Sequence, residues 1–371
     1  MAESVRRSAD PAEHRSLRLA SRCVVRKVGA VPLDRQDSIP VTPTAADAQL
    51  ADLFGARLLI VTGKGGVGKS TVAAALALAG VRSGRRTCLV EVESRQTMAS
   101  LFGTQPWDFT EREFRSGLWG LSVDPEASLA EYLDLFYGAG RLSKFVVGSS
   151  AVQFATTAAP GVKDVLLIGK VKEMEQRRNP DGRFTYDLIV LDAPPTGRIV
   201  NFLRAPEAAG ELVGIGPIRQ QAQSVVDMLA DPRRTRLQLV TLLEEMPVQE
   251  TLEAIQALRE LGIAHGPVVA NRVEPERFDP DQAAALQGGL SPTQLSKVLG
   301  TAGLLSTKAV ASALLKLGQA HLERTELQQQ MRARLQDELD LALLELPAVH
   351  TERFGPDELG HLADVVEQAQ G

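Results

Sequence analysis

Residues 63–71 read Gly-Lys-Gly-Gly-Val-Gly-Lys-Ser-Thr, a glycine-rich stretch with the spacing G-x-x-x-x-G-K-[ST]. It follows an apolar run at residues 57–61, which predicts a strand buried on both faces. It precedes a run rich in alanine and leucine, which predicts a helix closed by Gly84. Glycines let the backbone of such a loop curl until its N–H groups point at phosphate oxygens. The stretch, called the phosphate loop below, therefore predicts phosphate binding between a strand and a helix.

Further short apolar runs alternate with segments of helical spacing along most of the chain. They lie at residues 87–92, 118–123, 187–191, 237–242, 267–270 and 341–344. Strands that alternate with helices are typical of an α/β fold. The pattern predicts a doubly wound, mostly parallel sheet.

Two blocks outside the strand pattern predict a helical subdomain. The first covers about 125–180, with Asp124 as N-cap and Pro125 as first helical residue, and is joined by 205–232. The second is a helical segment at 291–338, which Ser291 and Gln294 begin as a capping box. Residues 1–50 are expected to form a disordered leader, and residues 51–371 the folded domain.

Composition excludes several classes of protein. The 371 residues carry 41 Lys+Arg against 46 Asp+Glu, a net charge of −5, so the basic excess that favours nucleic-acid binding is missing. The two cysteines, Cys23 and Cys88, are too few and too far apart for a disulfide framework or a zinc or iron–sulfur site within one chain. No apolar stretch reads as a secretory signal or a membrane span. We therefore expect a cytoplasmic protein without intrinsic membrane segment or nucleic-acid partner.

The phosphate loop and one later strand supply residues for nucleotide and metal chemistry. Lys69 is expected to bring positive charge to the β and γ phosphates, and Ser70 to ligate Mg²⁺. Residues 187–192 (DLIVLD) predict a strand whose terminal Asp192 lies near the Mg²⁺ shell, as an outer ligand. The predicted nucleotide-binding residues of the loop are Gly63, Lys64, Gly65, Gly66, Val67, Gly68, Lys69, Ser70 and Thr71.

Two motifs identify a family. The early Lys64 gives the loop the form K-G-G-x-G-K-[ST], which resembles the deviant Walker A motif of the signal-recognition, MinD and BioD type of ATPase. Residues 192–198 (DAPPTGR), followed by 202–206 (FLRAP), resemble the D-T-A-P-T-G-H-T-x-R-x-L-x-x-P signature of the ArsA family of arsenite-efflux and tail-anchored-protein-targeting ATPases. Ala193-Pro194 replaces Thr-Ala, and Arg198 replaces His. The resemblance extends over most of residues 57–365.

This resemblance implies a Mg²⁺-dependent ATPase that acts as a nucleotide-driven dimeric switch. It implies that Lys64 reaches the nucleotide bound by the partner subunit. It also implies that Lys64 and Lys69 are catalytic residues. It implies that Gly197 donates its N–H to the γ phosphate. By the same resemblance Asn271 contacts the adenine, whose paired donor and acceptor edge an amide can match, and the chain near Pro347 closes over the base.

The acid that orients the attacking water is where this sequence departs most from the family. Members usually carry an aspartate followed by proline, and Glu93 followed by Ser94 stands there. A carboxylate is retained, one methylene longer, and because a misplacement of about 1 Å can cost ~10²-fold in rate, slow hydrolysis is expected. Glu91, two residues earlier, is the rival for this role.

Several alternatives stay open in the sequence. The chain is predicted to be an ArsA-like ATPase with an unknown client, an ATP-gated subunit that hydrolyses slowly or not at all in a heterodimer with a paralogue, or a positioning ATPase of the ParA and MinD kind. Either a homodimer or a heterodimer fits, with an apolar protein or lipid as client. The two cysteines match neither the arsenite site nor the zinc clip of the family, and six scattered methionines do not indicate a methionine-rich client groove.

Overall fold

A computed structural model describes residues 44–92, 96–137, 161–212, 217–304 and 306–371. They form an eight-stranded sheet of order β3-β4-β2-β5-β1-β6-β7-β8. All strands are parallel except β3, which is antiparallel to β4 at one edge. The α/β fold with a mostly parallel sheet is therefore confirmed. The strands are β1 (Leu58–Gly63), β2 (Thr87–Glu91), β3 (Arg112–Arg115), β4 (Leu118–Ser122), β5 (Leu188–Asp192), β6 (Thr235–Thr241), β7 (Val268–Val273) and β8 (Leu343–Pro347).

Helices connect the strands and cover both faces of the sheet. Among the described residues they are α1 (Ala45–Ala51), α2 (Lys69–Arg82), α3 (Thr97–Phe102), α4 (Pro125–Tyr137), α5 (Val162–Gln176), α6 (Thr196–Leu212), α7 (Pro217–Ala230), α8 (Glu245–Arg259), α9 (Pro280–Gln287), α10 (Pro292–Thr301), α11 (Lys308–Glu338) and α12 (Pro356–Gln368). None of them is both long enough and apolar enough to cross a bilayer.

The seven buried strands follow the predicted apolar runs, with ends that shift by a few residues. Strand β3 was not predicted, because its sequence Arg-Glu-Phe-Arg is charged and largely exposed. Within the described part of the chain it pairs with β4 alone, through a turn in which Gly117 has φ +77°. A short charged strand at a sheet edge has no apolar signature, since only one of its sides is paired.

The core consists of two hydrophobic clusters, one on each face of the sheet. One cluster joins the strands to buried residues of α5, α6 and α7, among them Val171, Phe202 and Met228. The other joins the strands to α2 and α12, and residues 72–80 of α2 are all buried. The alanine-rich composition of α2 fits this burial, because small side chains let a helix lie close to a sheet.

Backbone contacts divide the chain into two compact units. One contains residues 43–273 and 331–371, and so the whole sheet, together with α4 to α8. The blocks 125–180 and 205–232 therefore share a unit with the sheet, apart from residues 138–160 and 213–216, which lie outside the described part. Of the predicted helical segment 291–338, residues 291–330 belong to the second unit and residues 331–338 to the unit that contains the sheet.

The unit of residues 274–330 contains α9, α10 and most of α11. Helix α10 begins with the capping box that the sequence predicts, in which the Ser291 hydroxyl accepts a hydrogen bond from the Gln294 N–H. Within the unit, the Gln328 amide oxygen accepts a hydrogen bond from the Glu274 N–H over 3.1 Å. In the other unit, α4 begins at Pro125, and Asp124 Oδ1 accepts a hydrogen bond from the Ala127 N–H.

Part of the segment that the sequence assigned to the leader is helical. Residues 1–43 lie outside the described part, but residues 45–50 belong to α1 and are helical. A capping box explains the early start, since Thr44 Oγ1 accepts from the Asp47 N–H and Asp47 Oδ2 accepts from the Thr44 N–H. This Thr-x-x-Asp pattern satisfies two of the unpaired N–H groups at the helix start.

Candidate functional site

The phosphate loop joins the end of β1 to the start of α2 at the carboxyl edge of the sheet. Gly63 is the last residue of β1, and Lys69 is the first residue of α2. Gly66 and Gly68 have φ values of +90° and +91°, in the left-handed region that favours glycine. The side chain of Val67 is buried in the cluster below α2 and anchors the loop. The loop thus has the strand–turn–helix setting that phosphate binding requires.

The two lysines of the phosphate loop make different contacts. Lys69 Nζ lies 3.4 Å from the backbone oxygen of Lys64, so its side chain runs back along the loop. Lys64 Nζ lies 2.6 Å from Glu250 Oε1 of α8, and both side chains are about one third exposed. Glu250 was not singled out from the sequence, because nothing local relates it to a residue of the loop.

Ser70 and Asp192 are brought together beneath the loop. Ser70 Oγ donates a hydrogen bond to Asp192 Oδ2 over 2.7 Å, and Asp192 is the buried last residue of β5. Mg²⁺ prefers oxygen ligands, and usually takes one or two from the protein and the rest from water and phosphate. The hydroxyl and carboxylate fit that donor set. Among the described residues, no group of three or more acidic, histidine or cysteine side chains could hold a metal.

The segment after Asp192 is tied to the neighbouring strand β1. Thr62 Oγ1 donates to the backbone oxygen of Pro194 over 2.7 Å, and the Ala193 N–H donates to the Val61 oxygen over 3.0 Å. Helix α6 then begins at Thr196, so Gly197 is its second residue. Thr62 was not predicted as a site residue, although a threonine in an apolar strand is a usable signal. These bonds hold the start of α6 beside the phosphate loop.

Gly197 and Arg198 lie exposed at the start of α6. No atom comes within 4 Å of the place where a side chain on Gly197 would begin, so the space above it is open. Arg198 lies 3.6 Å from Asp164 of α5. Burial raises the pKa of the Asp164 carboxyl, and the charge of Arg198 opposes that rise. A histidine, which the family signature has at this position, could not make the same contact with Asp164 as the Arg198 guanidinium does.

Asn271 lies against the phosphate loop. Its side chain is buried, and Nδ2 donates to the Val67 oxygen over 2.9 Å. The next residue, Arg272, has φ +55°, where the register between β7 and β8 shifts. Pro347 ends β8 and pairs with Val273. The two residues expected around the adenine therefore lie in neighbouring strands, Asn271 within β7 and Pro347 at the end of β8, and their contact with a base stays a prediction.

The structure describes one of the two acids that are candidates for orienting the attacking water. Glu93 lies outside the described residues. Glu91 is the last residue of β2, is 2% exposed, and accepts a hydrogen bond from the Thr97 N–H over 3.0 Å. Gln96 has φ +58°, and its side chain amide donates to and accepts from the backbone of Trp107 over 2.8 and 2.7 Å. The sequence did not indicate this use of Glu91 or of Gln96.

The structure thus collects most of the predicted residues at one edge of the sheet. The loop, Ser70, Asp192 and Asn271 are linked by direct hydrogen bonds, while Gly197 lies at the start of α6 and Pro347 at the end of β8. Loop N–H groups and a lysine can hold phosphates, and the hydroxyl and carboxylate can hold a metal. The arrangement suits a nucleoside triphosphate with a divalent cation.

Comparison with known proteins gives the chain its relatives. The model of the anion-transporting ATPase family (ArsA) matches residues 56–223 and 218–288. The ATPase BagA of Mycobacterium tuberculosis is 43% identical over 303 residues, which cover 80% of this chain and 88% of BagA.

More distant relatives carry a more specific name. An arsenical pump-driving ATPase of Acidiphilium multivorum is 27% identical over 298 residues, 69% of this chain and 50% of that protein. One of Escherichia coli is 28% identical over 237 residues, 59% of this chain and 40% of that protein. The matches thus span half or less of the length of these two pump ATPases.

Proposed function

Because the chain belongs to the ArsA family of ATPases, we propose that it hydrolyses ATP with Mg²⁺ and acts as a nucleotide-driven dimeric switch. The observation that supports this most directly is the hydrogen bond between Ser70 Oγ and Asp192 Oδ2. It joins the phosphate loop to the end of β5 at the point where the cation of an ATP complex is needed.

In this proposal each residue of the loop has a separate task. Backbone N–H groups of residues 63–71 bind phosphate oxygens, and Lys69 leaves the Lys64 oxygen to place its charge on the β and γ phosphates. Ser70 ligates Mg²⁺, and Asp192 orients that ligand from the outer shell. Bound Mg²⁺ neutralises charge on the phosphates. Gly197, at the open start of α6, donates its N–H to the γ phosphate.

The attacking water is oriented by Glu93 in this proposal. Its carboxylate takes the place of the shorter aspartate of the family, and no proline follows it. Transfer of a phosphoryl group depends mostly on positioning and charge neutralisation, so the extra methylene is expected to lower the rate. We therefore propose slow turnover with stable ATP binding, which suits a switch.

Dimer formation depends on Lys64 in the same proposal. The ion pair with Glu250 holds the Lys64 side chain against its own subunit. The lysine therefore has to leave Glu250 to reach a nucleotide bound by a second subunit. The second subunit is either another copy or a paralogue, and the client is an apolar protein or lipid.

Two substitutions test the proposal. Lys69→Ala removes the charge directed at the phosphates, and hydrogen bonds to charged groups contribute about 1.5–3 kcal/mol each, so ATP affinity should fall at least ~100-fold. Asp192→Asn should lower the Mg²⁺-dependent kcat about 10- to 100-fold through the outer shell, with ATP affinity nearly unchanged. Calorimetry and phosphate release measure both. Micromolar ATP binding by Lys69→Ala, or wild-type protein that releases no phosphate, would overturn the proposal.

A further inference from the structure

Exposed apolar side chains are concentrated around the start of α11. Among the residues that the structure describes, six large apolar side chains are exposed, and four of them lie between residues 304 and 317. They are Leu304, four residues before the helix, and Val310, Leu314 and Leu317 within it, each between 44% and 67% exposed. Soluble proteins usually expose such side chains singly, and a group of them marks an interaction surface.

The three side chains of α11 lie on one face of the helix. Val310, Leu314 and Leu317 are spaced by four and three residues, which is the period of a helix, so they follow one another along its surface. We call them the apolar stripe. The helix packs through a different face, which contains the buried Ala311 and Leu315. The apolar stripe is therefore separate from the packing of α11 within its own unit.

The segment that contains the apolar stripe carries only positive charge. Residues 282–322 include three lysines, Lys297, Lys308 and Lys316, and no aspartate or glutamate. All three lysines are exposed, although the whole chain has a net charge of −5. Lys316 directly precedes Leu317, so it lies about 100° around the helix, at the edge of the stripe. The surface is thus complementary to a partner that is both apolar and negatively charged.

The composition of this surface favours a lipid membrane over a protein as that partner. Protein interfaces are enriched in aromatic residues, Met and Arg and are depleted of Lys. Residues 282–322 contain three lysines but no Phe, Trp, Tyr, Met or Arg. Helices that lie on a membrane surface combine leucine on one face with lysine around it, and anionic headgroups attract each lysine.

We propose that the apolar stripe binds the surface of a membrane that contains anionic phospholipids. The side chains of Val310, Leu314 and Leu317 enter the boundary between headgroups and acyl chains, and Lys308 and Lys316 contact the headgroups. None of the described helices can cross a bilayer, so this contact is peripheral. Three aliphatic side chains bury little area, and the binding is therefore reversible. It does not depend on the ATPase activity proposed above.

Sedimentation of the full chain with vesicles, in the absence of nucleotide, tests this proposal. Vesicles of phosphatidylcholine alone are compared with vesicles of phosphatidylcholine and phosphatidylglycerol, which carry negative charge. We expect binding to the charged vesicles that decreases as salt is added. Leu314→Ser/Leu317→Ser should weaken this binding about tenfold or more, and Lys308→Gln/Lys316→Gln about fivefold or more.

Two matched controls lie in other parts of the chain. Met246→Ser removes an exposed apolar side chain of α8, and Lys163→Gln removes an exposed lysine of α5. Both variants should bind the charged vesicles as the parent does. Because every changed side chain is exposed, melting temperatures should stay within about 2 °C of the parent, which excludes unfolding as the cause of a loss.

Several results would overturn the proposal. One is a parent that does not bind the charged vesicles at low salt, and another is equal binding by Leu314→Ser/Leu317→Ser. Equal binding of the parent to both kinds of vesicle would show that anionic lipid is not recognised. Self-association of the parent in light scattering, lost in the leucine variant and without vesicle binding, would assign the stripe to a second copy instead. Phosphate release is measured separately, so a failure of the proposed ATPase function would leave these results unchanged.

Discussion

The phosphate loop after β1 takes its shape from its own residues, whereas the turn at Gln96, just before α3, is held by a contact with a residue further along the chain. Gly66 and Gly68 supply the left-handed backbone of the first, and Val67 anchors it. In the second, Gln96 adopts the same region without being glycine, because the backbone of Trp107 holds its side chain. One turn is therefore a local property, and the other forms only with the tertiary structure.

The largest effect is expected from Gly68→Ala in the phosphate loop. A methyl group there would have the unfavourable φ of +91° and would begin 2.3 Å from Asn271 Nδ2, which must then leave the Val67 oxygen. Backbone strain and the loss of a buried hydrogen bond together should lower the free energy of unfolding by about 2–4 kcal/mol. Chemical denaturation without nucleotide measures this loss.

Two neighbouring glycines serve as controls for that substitution. Gly66 has a positive φ but open space at the position of a side chain, and Gly65 has the open space without the positive φ. Gly66→Ala should cost about 1–2 kcal/mol, and Gly65→Ala less than about 0.5 kcal/mol. Equal losses in all three variants would show that the shape of the loop does not depend on these glycines.

A smaller effect is expected at Gln96, where side-chain contacts oppose backbone strain. Gln96→Ala loses both hydrogen bonds to Trp107 and keeps the left-handed φ, so unfolding free energy should fall by about 1–2 kcal/mol. Gln96→Gly loses the same bonds but relieves the strain, so its loss should be smaller. Thermal and chemical denaturation compare the two variants.

The order of these two variants decides the comparison between the turns. Gln336→Ala, at an exposed position of α11, controls for the general effect of removing a glutamine side chain. If Gln96→Gly proves less stable than Gln96→Ala, the left-handed backbone at Gln96 is not under strain, and the two turns are less different than their geometry indicates.

The smallest effect on stability is expected from Glu250→Gln. The ion pair with Lys64 is partly exposed, so its loss should change the free energy of unfolding by less than about 0.5 kcal/mol. If Lys64 has to leave Glu250 to reach a second subunit, the ATP-dependent dimer should form more readily. Light scattering with a non-hydrolysable ATP analogue measures this at low and high salt.

Glu245→Gln is the matched control for the Glu250 prediction. It removes the same charge from an exposed position of the same helix. We expect a greater dimer fraction than in the parent for Glu250→Gln but not for Glu245→Gln. The difference between Glu250→Gln and the parent should decrease as salt is added, because salt weakens the ion pair of the parent. Equal dimer fractions in both variants and the parent would show that Glu250 does not restrain Lys64.

The parts of the fold that the sequence predicted are those with a local signature. Seven strands were visible as apolar runs, because strands buried on both faces have nearly continuous apolar sequence. The loop was visible through its glycine and lysine spacing. Strand β3 was not predicted, because its charged edge residues form no apolar run. The start of α1 was not predicted either, although Thr44 and Asp47 form a recognisable capping box.

The sequence indicated which residues belong to the candidate site, but it did not indicate most of the contacts between them. Lys69, Ser70 and Asp192 follow from motifs, and the structure joins Ser70 to Asp192 as the motifs indicate. The bond from Asn271 to the loop and the ion pair of Lys64 with Glu250 link residues far apart in the chain. Such contacts depend on strand order, which a single sequence does not determine, so their partners were not foreseen.

Strand β3 also bears on how copies of this chain can assemble. The outer backbone groups of an edge strand can pair with a strand of another molecule and extend the sheet. Here the edge is short, its residues Arg112, Glu113 and Arg115 are exposed, and its pairing is irregular between the last two. Charge and irregularity together disfavour growth of the sheet from one molecule into the next. We therefore do not expect copies of this chain to associate by pairing their β3 strands.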